Sequence, residues 1–154
     1  MRPDPQAKLA VLLAITGLTQ TEGAAVLGVS GRTMRRWMEG VRIPPAIALD
    51  RLAALARGLD QLANSAVRDM DDAVPASRVF LVYRRNQDLP PWTQLRTAGC
   101  HLALVRRVAE RRPNVHLIAF HRGGYRRWLG SRPDSKEMRA GWAALRAGCP
   151  RPAS

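Results

Sequence analysis

The sequence predicts an α+β protein in which an all-helical first part precedes a smaller part of two strands and further helices. Apolar residues recur at helical spacing through the first 68 residues. Two β-branched and aromatic runs follow only later, at 79–83 and 115–120. A chain of 154 residues has room for one ordinary domain or two small ones. We therefore expect a helical domain over 1–74 and a strand-helix-strand domain with a C-terminal helix over 75–154.

The first two predicted helices are marked by their stop and start residues. The first helix carries one continuous face at helical spacing, made of Leu9, Leu12, Leu13 and Thr16. Gly17 follows as a helix stop, because glycine tolerates a positive φ. Thr19 and Glu22 have the spacing of a capping box, which predicts that a second helix begins after Thr19 and ends at Gly28.

A third, short helix and a fourth, long one complete the predicted first domain. Ser30 is placed to cap a helix over about 31–39, and Gly40 follows it as a stop. After two prolines the fourth helix extends toward Arg68, with Gly58 as a candidate interruption. Its apolar positions are Ile47, Leu49, Leu52, Leu55, Leu59 and Leu62.

The second domain is predicted to hold two parallel strands joined by a helix. The runs at 79–83 and 115–120 are apolar on both faces, which is typical of buried strands. Between them Thr93 is the predicted cap of a helix that Pro113 stops. Asp134 is the predicted cap of the last helix, whose apolar face holds Met138, Trp142 and Leu145.

Charge is the strongest compositional signal. Lys and Arg number 25 against 12 Asp and Glu, which gives a net charge of +13. Such an excess favours a polyanionic partner, with nucleic acid first. Residues 1–74 hold 9 basic and 8 acidic residues (+1), whereas residues 75–154 hold 16 and 4 (+12). The acidic, then proline-containing segment 69–77 is the predicted linker, and further DNA or RNA contact by the basic second domain stays open.

Several other classes are disfavoured by the sequence. The longest apolar runs, 9–15 and 79–83, are far shorter than the roughly 20 residues of a membrane span. The N-terminus lacks the order of a secretory signal. Cys100 and Cys149 show no paired spacing, which fits reduced thiols and Cys100 as a small core residue. The sequence thus predicts a cytoplasmic protein that binds no membrane.

A candidate nucleic-acid interface lies in the second and third predicted helices. The seam between them is predicted to consist of small and apolar residues: Ala24, Leu27, Val29, Met34 and Trp37. The outward positions of the third helix are then Gly31, Arg32, Thr33, Arg35 and Arg36. A short basic helix face held by a rigid partner is what reading of the DNA major groove requires.

On these residues, the segment from 6 to about 60 resembles the helix-turn-helix domain of phage repressors of the lambda Cro and repressor type. The pattern is carried by Gln20, Ala24, Gly28, Val29, Met34 and Trp37. The resemblance implies that bases are read by Gly31, Arg32, Arg35 and Arg36. Gly31 departs from the family pattern, which usually has a hydrogen-bonding side chain there. Contacts with the DNA backbone are expected from Thr19, Gln20, Thr33 and Arg42.

The order of the two domains is similar to that of anti-CRISPR-associated regulators, homodimers that repress their own operons. Residues 116–135 are similar in style to the end of their second domain, whereas the helix after Asp134 and the +12 charge depart from it. The resemblance implies a homodimeric repressor of phage or mobile-element type that binds double-stranded DNA at an inverted repeat. Dimerisation is expected in the second domain, since two strands alone leave open edges.

Two other functions were weighed against repression. An antitoxin would use the same DNA-binding domain and hold a toxin with its second domain, and this alternative stays open. A nuclease would recruit residues such as His101, His121 and Tyr125, but only four carboxylates follow residue 75, too few for a two-metal cluster. Zinc ligation is disfavoured by the spacing of the cysteines and histidines. We expect no catalysis, no metal and no cofactor.

Overall fold

A computed structural model describes residues 3–149 of the chain; residues 1–2 and 150–154 lie outside the described part. The described residues form seven α-helices and one two-stranded parallel sheet, a helix-rich arrangement compatible with the predicted α+β class. The chain divides into two compact units, with the division between residues 62 and 63. It falls inside a helix, twelve residues before the end of the predicted first domain at 74.

Four helices form the first unit, and the last of them continues into the second: α1 (Pro5–Thr16), α2 (Gln20–Leu27), α3 (Gly31–Met38) and α4 (Ala46–Arg68). The predicted stops are confirmed, because Gly17 and Gly28 adopt φ values of 71° and 69°. The predicted face of α1 is also confirmed, since all four of its residues are buried. The helix α4 runs without a break through Gly58.

Buried residues of α1, α2, α3 and α4 form the core of the first unit. Leu9, Met34 and Leu52 are each 0% exposed. Thr16 is buried as well, and its hydroxyl donates to the carbonyl of Leu12 at 2.7 Å, so burial leaves this polar group paired. The apolar face of α3 packs against α1 in this core, which leaves the opposite face of α3 exposed.

The second unit contains the end of α4, the sheet and three further helices. Its elements are a 3-10 turn (Pro75–Arg78), β1 (Val79–Val82), a 3-10 turn (Asn86–Asp88), α5 (Ala98–Arg111), β2 (His116–Ala119), α6 (Arg122–Leu129) and α7 (Lys136–Arg146). The two strands are parallel, as predicted, with Val79 beside His116 and Val82 beside Ala119. Tyr125, Leu129 and Trp142 form a buried cluster on which Leu81 and Ile118 of the sheet pack.

The segment predicted as a linker is tied to the second unit by ion pairs. Asp72 accepts from Nη2 of Arg112 at 2.7 Å and lies 3.6 Å from Nη1 of Arg78. Ser77 further closes this segment, because its hydroxyl accepts from the amide of Asp71 at 2.7 Å. The acidic residues thus neutralise part of the basic second unit at close range.

The predicted start of α5 is wrong. Thr93 lies before the helix, where its hydroxyl accepts from the amide of Leu95. The helix begins at Ala98, and Thr97 is its cap, accepting from the amide of Cys100 at 3.0 Å. Asn86 supplies a second acceptor for the helix start, at 2.7 Å from the amide of Ala98. This contact comes from twelve residues away, so local spacing did not reveal it.

The predicted cap of α7 is also wrong by one residue. Ser135 accepts from the amide of Met138 at 3.1 Å, and α7 begins at Lys136. Asp134 is engaged elsewhere, because its carboxylate binds the hydroxyl of Tyr125 at 2.6 Å and the guanidinium of Arg139 at 2.7 Å. Both residue types cap helices well, and the buried arginine decides between them.

The expectation that both strands are buried on two faces is wrong, most clearly for β2. In that strand His116, Leu117 and Ala119 are exposed, and only Ile118 is half-buried. All four residues of β1 are half-buried. Within residues 3–149 the sheet has two strands, so β2 has no further strand beside it to cover its outer edge.

Within the described residues, no single helix combines the length and apolarity needed to cross a membrane. The pair α1 and α2 meets that criterion only when the two are counted together, and they are bent by 99° at the break between them.

Candidate nucleic-acid interface

Two short helices, α2 and α3, pack against each other through the seam predicted from the sequence. Ala24, Leu27, Met34 and Trp37 are all buried, with exposed fractions of 6% or less, while Val29 is half-buried. Three residues, 28–30, connect the helices. The turn is closed by the amide of Val29, which donates to the carbonyl of Ala24 at 3.0 Å.

Gly23 marks a close approach that the sequence reasoning missed. It is buried, and a Cβ there would lie 2.5 Å from Cδ2 of Leu13 and 3.4 Å from Cε of Met34. The sequence reasoning had placed the requirement for a small residue at Ala24. Glycine at 23 therefore leaves room for side chains of α1 and α3 to pack against α2.

The start of α2 carries the predicted capping box. The hydroxyl of Thr19 accepts from the amide of Glu22 at 3.1 Å, and the Glu22 carboxylate accepts from the amide of Thr19 at 2.9 Å. Thr19 and Gln20 are both exposed, as residues that contact a phosphate must be. The Thr19 hydroxyl keeps its own hydrogen for a further acceptor, since in the cap it serves only as acceptor.

The start of α3 is capped by Ser30, as predicted. Its hydroxyl accepts from the amide of Thr33 at 3.1 Å and lies 3.0 Å from the Thr33 hydroxyl. The two hydroxyls therefore share one hydrogen bond, and Thr33 is half-buried beside the cap. Thr33, predicted to contact the DNA backbone, thus sits in a fixed rotamer at the first turn of the helix.

The outward face of α3 is basic. Arg32, Arg35 and Arg36 are all exposed. Arg35 and Arg36 follow Arg32 by three and four positions, so both are neighbours of Arg32 on the helix surface. Gly31 is exposed at the first helical position, and a Cβ built there meets no atom within 4 Å. The four predicted base-reading residues therefore share one open surface.

The far end of α3 is fixed by a contact from α1. The side-chain amide of Gln6 donates to the carbonyl of Met38 at 2.6 Å. Gly40, with φ of 72°, passes so close to Gln6 that a Cβ would lie 2.7 Å from its Oε1. The amide of Arg42 donates to the carbonyl of Arg36 at 3.1 Å, which folds the following loop back onto α3. Arg42 itself is exposed.

Much of the positive charge of the second unit is engaged within the unit. Arg106 pairs with Glu110 at 2.9 Å, and Arg107 donates to the carbonyl of Ala103 at 3.1 Å. Arg111 donates in the same way to the carbonyl of Arg107 at 3.3 Å. Both bonds run to the carbonyl four residues earlier, so these two side chains fold back along their own helix.

One arginine of the second unit is buried. Arg139 is 8% exposed; it donates to Asp134 and to the carbonyl of Asp88 at 2.8 Å, and it lies 4.7 Å from the centre of the Phe120 ring. Burial disfavours its charge, yet hydrogen bonds with Asp134 and Tyr83 raise its pKa above the ordinary value. Its guanidinium in turn lowers the pKa of Asp134.

The side chains considered for a nuclease each have a contact within the fold. The Nε2 atom of His101 lies 2.9 Å from the carbonyl oxygen of Leu81, and burial lowers the pKa of this imidazole. His121 accepts from the amide of Gly124 at 3.0 Å and caps α6. Burial and then the bond to Asp134 raise the pKa of Tyr125 to about 12. Among residues 3–149, no three His, Cys, Asp or Glu side chains are placed to hold a metal ion.

The chain matches no protein-family model, and no curated protein is significantly similar to it.

Proposed function

We propose that this protein is a sequence-specific DNA-binding transcriptional repressor of phage or mobile-element type, with α2 and α3 as a helix-turn-helix. The exposed triad Arg32, Arg35 and Arg36 on a short, firmly packed helix carries the proposal. Arginine suits this role because its planar guanidinium donates two parallel hydrogen bonds to O6 and N7 of guanine. The preferred sites are therefore expected to contain guanine at the positions that these side chains reach.

The packing behind α3 supports this role. A recognition helix has to keep its register against the bases, so both of its ends need fixed contacts. At one end Ser30 caps the helix, and at the other Gln6 binds the carbonyl of Met38. Thr19 and Gln20 at the start of α2 and Arg42 after α3 are exposed on either side, where phosphate contacts would set orientation.

The repressor is proposed to act as a homodimer on an inverted repeat. One recognition helix reads only a few base pairs, and a two-fold dimer requires half-sites whose centres are about 10 bp, or a multiple of that, apart. The uncovered edge of β2, where Leu117 is 45% exposed, supports dimerisation through the second unit. Such pairing would join two sheets edge to edge.

The test is selection of binding sites from random duplex DNA with the full chain. We expect enrichment of a guanine-containing inverted repeat at a salt concentration that suppresses non-specific binding. A variant with Arg32, Arg35 and Arg36 replaced by glutamine should enrich nothing. The matched control replaces three exposed arginines of α4, Arg51, Arg57 and Arg68, and should enrich the same sequence. Failure of the native chain to enrich any motif would refute the proposal.

A further inference from the structure

A basic cleft opens in the second unit at the end of the sheet toward which both parallel strands run. Arg84 and Arg85 follow β1, and His121 and Arg122 follow β2; all four line the cleft. Its volume is about 400 Å³, within the range of roughly 300–1,000 Å³ that is typical of small-ligand sites. Crevices at the carboxyl ends of parallel strands are the usual ligand sites of such sheets.

One side of the cleft is suited to an anion. Arg84, Arg85 and Arg122 bring three positive charges to it. The helix α6 begins at Arg122 and spans eight residues, and Gly123 in its first turn also lines the cleft. His121 accepts a hydrogen bond at Nδ1, so its neutral ring carries the proton on Nε2, which makes Nε2 a donor. Arginines, amides and this donor are the groups that hold a phosphate.

The same cleft contains a buried carboxylate that a bare anion would not satisfy. Asp88 is 9% exposed, and its Oδ1 has no hydrogen-bond partner among the described residues. Nη1 of Arg122 lies 3.8 Å from it, within ion-pair range but beyond hydrogen-bond distance. A buried charged oxygen without a hydrogen bond is unfavourable. Because Oδ1 is closed off from the cleft, a ligand hydroxyl or amine near the phosphate would donate to the other carboxylate oxygen, Oδ2.

An aromatic ring completes the set. Phe120 lines the cleft, and its ring is held by neighbours in the core, with centroid distances of 5.0 Å to Tyr83, 5.3 Å to Tyr125 and 5.7 Å to Trp142. The guanidinium of Arg139 covers one face of this ring, 4.7 Å from its centre, so a planar heterocycle in the cleft would pack against the remaining surface of the ring.

From this combination we propose that the cleft binds a nucleoside monophosphate. The arginines and the start of α6 hold the phosphate, Asp88 accepts from a sugar hydroxyl or a base amine, and Phe120 contacts the base. The proposal concerns the second unit alone and does not depend on DNA binding by α3. A small phosphorylated ligand and the phosphorylated end of a nucleic acid share this chemistry, and the cleft volume favours the small ligand.

Calorimetric titration of the full chain tests the proposal. The probes are the four common nucleoside 5′-monophosphates, the unphosphorylated nucleosides, inorganic phosphate, and a short single-stranded oligonucleotide with a 5′-phosphate. We expect one monophosphate per chain to bind more tightly than its nucleoside or inorganic phosphate. Binding of the oligonucleotide without binding of any monophosphate would overturn the proposal.

Substitutions locate the site. Arg84→Gln and Arg122→Gln should each weaken monophosphate binding about tenfold or more, because each removes a charged contact. Arg127→Gln is the matched control, an exposed arginine of α6 that does not line the cleft in the described structure. An equal loss in the control would overturn the site assignment, since it would reflect net charge alone.

Asp88→Asn distinguishes binding of the phosphate from binding of the nucleoside part of the ligand. Loss of the negative charge should strengthen inorganic phosphate binding while it weakens the hydrogen bond to the nucleoside. The affinity ratio of monophosphate to inorganic phosphate should therefore fall, and an unchanged ratio would refute the role of Asp88. Thermal unfolding of each variant checks that it folds, and the two arginine variants test the site even if Asp88→Asn does not fold.

Discussion

The side-chain amide of Gln6, in the first turn of α1, donates a hydrogen bond of 2.6 Å to the carbonyl of Met38, the last residue of α3. The contact spans 32 residues of sequence and is half-buried. It satisfies one of the carbonyls that a helix end leaves without an intrahelical partner. The orientation of α3 in the first unit therefore depends on a residue of α1.

Replacement of Gln6 should destabilise the first unit and disturb α3. For Gln6→Ala we expect the free energy of unfolding to fall by about 0.5–1.5 kcal/mol, the usual net contribution of one hydrogen bond. Operator affinity should fall as well, since α3 loses a fixed end. Denaturant unfolding and DNA titration measure the two effects. The control is Gln61→Ala, an exposed glutamine of α4; equal effects in both variants would contradict the positioning role.

Arg32→Ala and Arg35→Ala should each weaken specific DNA binding by about 1–3 kcal/mol if the side chain contacts a base. Binding to random DNA should change much less. Competition assays with specific and random duplexes at one salt concentration measure the difference, with Arg57→Ala as control. Equal losses on both duplexes would identify these arginines as phosphate contacts.

Gly31 should tolerate a side chain. Its φ is not positive, and a Cβ there meets no atom within 4 Å. Gly31→Ala should leave stability unchanged or raise it by at most about 1 kcal/mol, because glycine weakens helices. Gly31→Gln should alter the base preference at one position of each half-site, as binding-site selection would report. Loss of all DNA binding in Gly31→Ala would mean that the backbone itself approaches DNA closely.

Leu117→Asp should convert the proposed dimer to a monomer without unfolding it. The side chain is 45% exposed on β2, so the carboxylate stays hydrated in the single chain but would lose part of its hydration beside the cross-strand side chains of a partner strand. Sedimentation measures the mass, and circular dichroism checks the fold. Ile43→Asp is the control, since Ile43 is 75% exposed in the first unit. If only Ile43→Asp produced a monomer, dimerisation would lie in the first unit and not in the second.

Acid should destabilise the second unit through His101. Burial lowers the pKa of this imidazole below its ordinary value of 6.5, although the Leu81 carbonyl opposes the shift. Below pH 6.5 the unfolded chain takes up this proton before the folded chain does, so stability is full above 6.5 and falls as the pH decreases. Unfolding measured from pH 7 to 5 should show a flatter profile for His101→Gln. An unchanged pH profile in His101→Gln would argue against this role of His101.

Much of the first unit was predictable because its signals are local. The capping box of Thr19 and Glu22, the cap at Ser30 and the glycines at 17 and 28 act within four residues, and each was found where expected. The buried seam of the candidate interface followed from helical periodicity for the same reason. The exposure of the three arginines on α3 followed as well, because a helix that buries one face leaves the opposite face in solvent.

The second unit was harder to predict because distant contacts decide among equivalent local signals. Thr93 and Thr97 are both plausible caps of α5, and the contact of Asn86 with the helix start accompanies the second. Asp134 and Ser135 likewise compete for α7 until Arg139 binds the aspartate. The exposure of β2 was not readable from its apolar run, because composition does not say how many neighbours a strand has.

The sequence by itself determined the helices of the first unit, the parallel pair of strands and the basic outward face of α3, since periodicity, caps and glycine stops are written within single turns. Only the tertiary structure decided how Gln6 meets Met38 and how Arg84 and Arg122 come to line one cleft with Asp88. The physical reason is that these groups lie 32 or more residues apart, or on separate elements, and are joined by the parallel strand pairing and helix packing. Local propensity does not encode such distances.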